Sequence, residues 1–398
     1  MLIGIVGKPS CGKSTFFKAQ TLANVEIASY PFTTIKPNHG TGYVRVECVD
    51  KEFSTKCNPR LGYCIDSKRF VPVELLDVAG LVPGANEGKG MGNQFLDDLN
   101  QADVLIHIID ISGSTNEKGE TVPALSYDPL NDVKFLGHEL DMWYLRLIEK
   151  GWERFARTVN QEKPELNKAI AKQLSSFRVD EKLMERVIQK LNLGPDIMKW
   201  DRSILMKIAT ELRIATKPMI IACNKIDVPG AFDNFERLKK EFPNSVLVPC
   251  SAEAELALRE ASKHELIKYI PGDNDFEMLH PEKLNGKQKN ALEFIRKEIL
   301  QKFGSTGVQK SLDIAVFETL KYIAIFPGGM NKLEDQHGNR LPDCFLMPHE
   351  TTALDFAFKL HTDLGKNFIK AIDVKTRRPV GKDYPLKHRD VIEIVTSK

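Results

Sequence analysis

Apolar positions along this chain group into two patterns. Short continuous runs at Leu2 to Val6, Val71 to Leu76, Val104 to Asp110 and Pro218 to Cys223 predict strands covered on both faces, as in a parallel sheet. Gly42 to Val49 alternates and predicts a further strand, and Ser245 to Val248 predicts the last of this set. Thr15 to Leu22 predicts the start of a helix directly after the first strand. From Asp128 to Thr216 the texture changes. Leu136, Leu140, Trp143 and Leu147, then Leu183, Val187 and Leu191, recur at helical spacing with charged residues in the gaps. Pro164 and Gly194-Pro195 divide this stretch into three or four helices inserted between two strands. Asp273 to about Lys321 predicts a helical connection, with Leu292, Ile295 and Ile299 on one face. Beyond Tyr322, strand-like runs at Ile323 to Phe326, Phe368 to Val374 and Val391 to Val395 surround a helix, Ala353 to His361, capped by Thr351 or Thr352. That last part predicts a small α+β module.

Composition narrows this picture only a little. With 398 residues, 42% hydrophobic, 28% charged and a net charge of +2, the chain has the make-up of an ordinary globular protein. Any nucleic-acid contact must therefore come from a local patch and not from bulk charge. No apolar run approaches the length of a membrane span. The first strand begins at Leu2, which leaves no room for a signal peptide and leads us to expect a cytoplasmic protein. The seven cysteines include no CxxC pair. Cys11, Cys223 and Cys250 sit within or beside motifs as small packing residues. Cys48, Cys57 and Cys64 form a looser group in which Cys57-x6-Cys64 could clip a loop or help hold a metal, but the spacing matches no standard zinc pattern, so ordinary thiols are expected ahead of a metal.

The chemistry is concentrated in four short segments. Gly7-Lys8-Pro9-Ser10-Cys11-Gly12-Lys13-Ser14-Thr15 follows a strand and opens a helix, the context a phosphate-binding loop requires. Its backbone N–H groups and the helix N-terminus suit phosphate oxygens. Gly7 and Gly12 permit turns that a Cβ blocks. Lys13 is placed for the β- and γ-phosphates, and the Ser14 hydroxyl for Mg²⁺. The proline-marked stretch Tyr30 to Asn38 supplies Thr34, with Thr33 in reserve, as a further Mg²⁺ ligand that senses the γ-phosphate. Asp77-Val78-Ala79-Gly80 closes the second buried run. Asp77 is expected to hold Mg²⁺ and the Gly80 N–H to meet the γ-phosphate, and the glycine-dense segment Gly84 to Asn93 follows. Asn224-Lys225-Ile226-Asp227 is the base-reading segment. A carboxylate at Asp227 matches the N1–H and 2-amino donors of guanine, and adenine offers it neither. Asn224 is expected to tie loops together, the Lys225 stem to lie along the base, and the N–H groups of Cys250-Ser251-Ala252 to face guanine O6. GTP or GDP with Mg²⁺ is the expected ligand set, and Lys13, Thr34 and Gly80 are the expected catalytic contacts.

These motifs, in this order, make the chain resemble the Obg-like GTPases of the translation-factor branch, the relatives of YchF. Tyr30-Pro31-Phe32-Thr33-Thr34 and Gly90-Met91-Gly92-Asn93-Gln94-Phe95-Leu96 are similar to that family's two switch segments. Thr352 to Phe358, His361 to Gly365 and Asp390 to Ile394 are similar to a TGS domain, a ubiquitin-like β-grasp module. The resemblance implies an α/β P-loop G domain in two parts, 1–127 and 217–272. A helical insertion at 128–216, a helical connection at 273–321 and a TGS domain at 322–398 complete the plan. It further implies GTP hydrolysis to GDP and phosphate by a molecular switch, with ribosome or RNA contact through the TGS domain. Lys375, Arg377, Arg378, Lys382, Lys387 and Arg389 offer a basic patch for such contact. Two rivals stand beside this reading: an ATPase of YchF type, and a nucleotide-regulated RNA- or ribosome-binding scaffold whose hydrolysis is incidental. The family's P-loop often carries asparagine at the position of Ser10. Leu81 stands where Ras-like proteins carry the glutamine that orients water, so intrinsic hydrolysis is expected to be slow.

Overall fold

The computed structural model describes residues 1–22, 39–78, 99–175 and 178–397. In chain order the strands are β1 (Leu2–Val6), β2 (His39–Glu47), β3 (Tyr63–Ile65), β4 (Lys68–Asp77), β5 (Val104–Asp110), β6 (Met219–Asn224) and β7 (Val246–Pro249). They continue as β8 (Ile267–Lys268), β9 (Glu277–Met278), β10 (Tyr322–Pro327), β11 (Phe345–Pro348), β12 (Phe368–Asp373), β13 (Arg378–Val380) and β14 (Val391–Thr396). The chain forms two compact units, Met1–Ser14 with Leu76–Cys250, and Thr15–Leu75 with Ser251–Lys398.

The first unit carries a parallel sheet. β1 pairs with β5, β5 with β6 and β6 with β7, all parallel. Every residue of β5 is buried, which explains its near-continuous apolar sequence. Parallel strands put their carboxyl ends on one edge, so the residues that follow β1, β5 and β6 share that edge. The turn after β4 reaches it too, because the Val78 N–H donates to Ile5 O at 3.0 Å.

Between β5 and β6 lies the helical stretch. Among the described residues it holds five α-helices, Leu130–Glu149, Trp152–Glu162, Leu166–Gln173, Glu181–Lys190 and Arg202–Thr216, where sequence spacing predicts three or four. The extra break falls at Gly151, whose φ of +80° ends one helix before Trp152 starts the next. Apolar periodicity runs across that break on both sides, so spacing alone does not reveal it. Leu136, Leu140, Trp143, Leu205, Ile208 and Leu212 pack into one cluster with Val6 and Leu105 of the sheet. The stripes are thus packing faces.

Among the described residues the second unit holds three sheet regions. β3 and β4 form a hairpin turned by Asp66 and Ser67, both at positive φ. The C-terminal five-stranded sheet has the order β11-β10-β14-β12-β13, with β10 and β14 parallel and the other pairs antiparallel. The helix Ala353–Leu360 is capped by Thr352, whose side chain accepts from Asp355 N while the Asp355 carboxylate answers the Thr352 N–H. Phe356 from this helix is buried with Ile323, Ile325, Ala371 and Ile392 of the sheet. A parallel central pair, antiparallel flanks and one packed helix make the expected α+β β-grasp arrangement. The short ribbon β8–β9, which straddles the start of the connection, has no apolar run long enough to predict it.

Candidate nucleotide site

β1 ends at Val6 and the helix Lys13–Thr21 begins seven residues later, so Gly7 to Gly12 form the loop between them. Two of its residues have positive φ, Ser10 at +61° and Gly12 at +94°. A Cβ on Gly7 would lie 2.5 Å from Ile108 O, and one on Gly12 would lie 2.1 Å from Asn224 Nδ2. Gly7 is there because the β5 backbone approaches it, and Gly12 because the Asn224 side chain does. Gly12→Ala combines that clash with a disfavoured φ. It is expected to destabilise the protein by about 2–4 kcal/mol and to remove nucleotide binding; urea unfolding and a titration with fluorescent GDP check both.

The loop's side chains divide by role. Cys11 is fully buried, and burial pushes its thiol up to about 12, so it serves as packing. Lys8 does not face outward. Its Nζ donates to Thr115 O at 2.8 Å, pairs with Asp132 at 2.8 Å and lies 4.0 Å from the centroid of the Tyr127 ring. Only the backbone of Lys8 remains to meet a phosphate. Pro9 seats against Gly119, where an added Cβ would come within 2.6 Å. Lys13 pairs with the Asp77 carboxylate, which brings the first and third motifs together within one unit. Ser14 at the helix head is exposed. Thr15 follows it in the helix.

The segment Asn224 to Asp227 leaves the end of β6. Asn224 Nδ2 donates to Cys11 O at 2.9 Å in a buried contact, tying this segment to the phosphate loop. Lys225 has a φ of +62°, an unusual backbone state for a long side chain. Its ammonium is held by Asp110 Oδ2 at 2.9 Å and Ser114 Oγ at 3.2 Å. The Ile226 N–H donates to Cys250 O at 3.1 Å. Asp227 comes next, half-buried, with no side-chain partner for its carboxylate among the described residues.

Asp110 is the residue sequence reasoning missed. It closes an apolar run and reads as a strand end, yet it is fully buried and is the anchor of the Lys225 head. Ser112 Oγ donates to it at 2.5 Å, Ser114 Oγ at 2.9 Å and Thr115 Oγ1 at 2.8 Å. The signal was present as Ser112, Ser114 and Thr115 directly after the aspartate. Burial pushes this carboxyl up, but the bonds from Ser112, Lys225 and Thr115 outweigh burial and hold it below its usual value. A depressed native value means stability that is present above the ordinary carboxylate range near 3.9 and lost as pH falls through the native value. Asp110→Asn is therefore expected to cost about 1.5–3 kcal/mol at neutral pH, with the gap to wild type closing in strong acid. Urea midpoints measured down a pH series check this.

Three families match parts of the chain. A family described as 50S ribosome-binding GTPase matches residues 2–134, and one described as the Obg-like GTPase YGR210-like, G4 motif-containing domain matches residues 222–328. A TGS domain matches residues 333–396. A GTP-binding protein of Methanocaldococcus jannaschii is 48% identical over 397 residues, covering 100% of this chain and 99% of its own. A crystal structure of a GTP binding protein from Pyrococcus horikoshii covers 100% of both chains at 38% identity with a TM-score of 0.77. The chain belongs to the Obg-like, YchF-type GTPase family. Bacillus subtilis has a relative named a ribosome-binding ATPase, YchF, 29% identical over 279 residues, covering 66% of this chain and 69% of its own.

Thr33, Thr34, Gly80, Leu81 and the segment 84–96 lie outside the described residues. Ser251 and Ala252 belong to the second unit, at the head of the helix Ala252–Lys263. There the Ser251 N–H donates to Thr306 O at 2.9 Å, and the Cys250 N–H, in the first unit, to Cys223 O at 2.9 Å. Those two donors expected to face a base oxygen are thus already used within the fold. For Mg²⁺, the exposed Ser14 hydroxyl and the Asp77 carboxylate are hard oxygen donors, which fits that cation and not a soft one. In the TGS module the basic patch is smaller than the sequence implies. Lys375 pairs with Glu52 at 2.7 Å, and Arg389 is held by Glu52 and by Glu47 O. Arg377, Arg378, Lys382 and Lys387 remain exposed.

Proposed function

We propose that this chain is a Mg²⁺-dependent GTPase that works as a nucleotide-controlled switch on ribosomes or ribosomal RNA in the cytoplasm. The observation that supports the guanine preference most is the Asn224–Cys11 bond, which fixes the segment ending in Asp227 against the phosphate loop. The Asp227 carboxylate is left to accept from the guanine N1–H and 2-amino group. Lys13 and the loop N–H groups would stabilise charge developing on the transferred phosphate. Bound magnesium would neutralise the β- and γ-phosphates, with Ser14 and Asp77 as its protein ligands. Names carried by relatives support the cellular setting, since the Bacillus subtilis protein is named ribosome-binding.

The test is turnover of GTP and of ATP, each with and without purified ribosomes. Faster hydrolysis of GTP, raised by ribosomes, is the expected result. A second reading, an ATPase of YchF type, is favoured by the ATPase name of the Bacillus subtilis relative. Preferential ATP turnover would establish it in place of the first. Hydrolysis that ribosomes leave unchanged, together with ribosome pelleting that depends on nucleotide, would mean a scaffold. Replacing Arg377, Arg378, Lys382 and Lys387 together by glutamate is expected to abolish pelleting with ribosomes while GDP affinity stays within about twofold, because phosphate attraction depends on net local charge.

A further inference from the structure

Away from the nucleotide loops, in the second unit, three thiols and a carboxylate converge. Cys48 follows β2, Asp50 lies in the 3₁₀ turn Val49–Phe53, Cys57 sits in the next loop and Cys64 is the middle residue of β3. Their ligand atoms all lie within 4.8 Å of one another, and the Cys48 and Cys57 sulfurs are 3.5 Å apart. A disulfide brings sulfurs to about 2.05 Å, so this pair is not bonded. A tetrahedral zinc with Zn–S near 2.3 Å separates its sulfurs by about 3.8 Å, close to what is seen.

We propose that Cys48, Asp50, Cys57 and Cys64 form a structural zinc site. The donor set selects the metal. Three thiolates favour a borderline or soft ion, the carboxylate disfavours copper(I), and three sulfurs fall short of the four an iron–sulfur cluster takes. Cys48 and Asp50 are buried, and both other ligands are partly buried, as suits a closed site without a water position. The charges also fit. Arg69 lies directly across from Cys64 in the β3–β4 hairpin and is 1% exposed. Its Nη atoms donate to Leu341 O at 3.0 Å and Pro342 O at 2.8 Å, and its Nε is buried with no hydrogen-bond partner. A buried cation with an unspent donor beside three sulfurs is the outer support an anionic metal–thiolate centre needs. Spacing hides the site because its ligands come from a strand end, a turn, a loop and a strand rather than from paired knuckles.

The consequence is local and mechanical. The loop that the metal would close donates from Asn58 N to Arg340 O at 2.8 Å and from Arg60 N to Pro342 O at 2.9 Å, and Arg60 pairs with Asp343 at 2.6 Å. Zinc would therefore fix the surface on which the start of the TGS module rests.

The full-length protein, purified under reducing conditions from cells grown with added zinc, is expected to carry one zinc per chain by elemental analysis. Cobalt in its place should give thiolate-to-cobalt charge-transfer bands and an intense tetrahedral d–d envelope. Cys57→Ser and Cys64→Ser should each lose most of the metal. In case these variants do not fold, alkylation of the wild-type chain gives an independent reading. Cys48, Cys57 and Cys64 should be protected until a chelator removes the zinc, and chelation should lower Tm by several degrees. A chain that holds no zinc above the buffer blank and shows no cobalt–thiolate bands would overturn the proposal. So would a native disulfide among these three cysteines.

Discussion

Asp227→Asn is expected to weaken GDP binding about 100-fold or more and to make xanthosine diphosphate the better ligand. The carboxylate is placed to accept two hydrogen bonds, from the guanine N1–H and the 2-amino group. Each charge-assisted bond of this kind contributes about 1.5–3 kcal/mol. An asparagine keeps one acceptor and turns an N–H₂ toward a donor, so one bond is lost and one contact becomes repulsive. Xanthine carries a carbonyl where guanine has the amine, and that carbonyl accepts from the new amide. The rest of the segment does not move, since Asn224 stays bonded to Cys11 O and Lys225 to Asp110. Calorimetric titrations with GDP, XDP and ADP measure the shift. An unchanged GDP affinity would remove Asp227 from base reading and with it the argument for guanine.

The second large effect concerns hydrolysis. Lys13→Ala should lower GTP turnover by at least about 10²–10³-fold, the scale on which single charge-stabilising donors act in transition states. Lys13 is mostly covered and its ammonium pairs with Asp77, so it already lies at the site and exchanges that carboxylate for phosphate oxygens when nucleotide arrives. The variant also leaves Asp77 without that cation. Turnover should therefore fall further than GDP affinity, because a ground-state contact alone would change only binding. Single-turnover rates at saturating GTP separate the two. A loss confined to affinity would show that Lys13 holds the nucleotide without acting on the transition state.

Much of this protein is readable from its residues because the strands are short apolar runs and the motifs sit at their ends. β1, β5 and β6 fall within a residue or two of their predicted bounds, and β5 reads clearly because all of it is buried. The capping box at Thr352 is local and equally legible. What sequence does not give are contacts made between distant segments. The Lys8–Asp132 pair joins residues more than a hundred positions apart, and neither position stands out by itself. Asp110 hides at the end of an apolar run because its partners are hydroxyls, which look like loop composition. Cys48, Cys57 and Cys64 are separated by enough chain that only the folding of β3 onto β4 brings them near one another. In the long helical connection, Ile295–Leu300 and Ile314–Thr319 adopt π-helical turns, which a spacing of three and four residues does not distinguish from an α-helix.

The buried Lys8 has one more consequence, for how this sequence can drift over generations. In a pattern written GxxxxGKS the four central places look open to substitution. Here the first of them is committed. An isolated Lys8→Ala would strand the Asp132 carboxylate in a buried setting, and an isolated Asp132→Ala would strand the ammonium. Each single step is unfavourable while the joint exchange to two apolar residues need not be. Across relatives these two positions should therefore change together or not at all, so that a lineage losing the lysine also loses the aspartate at the head of Leu130–Glu149.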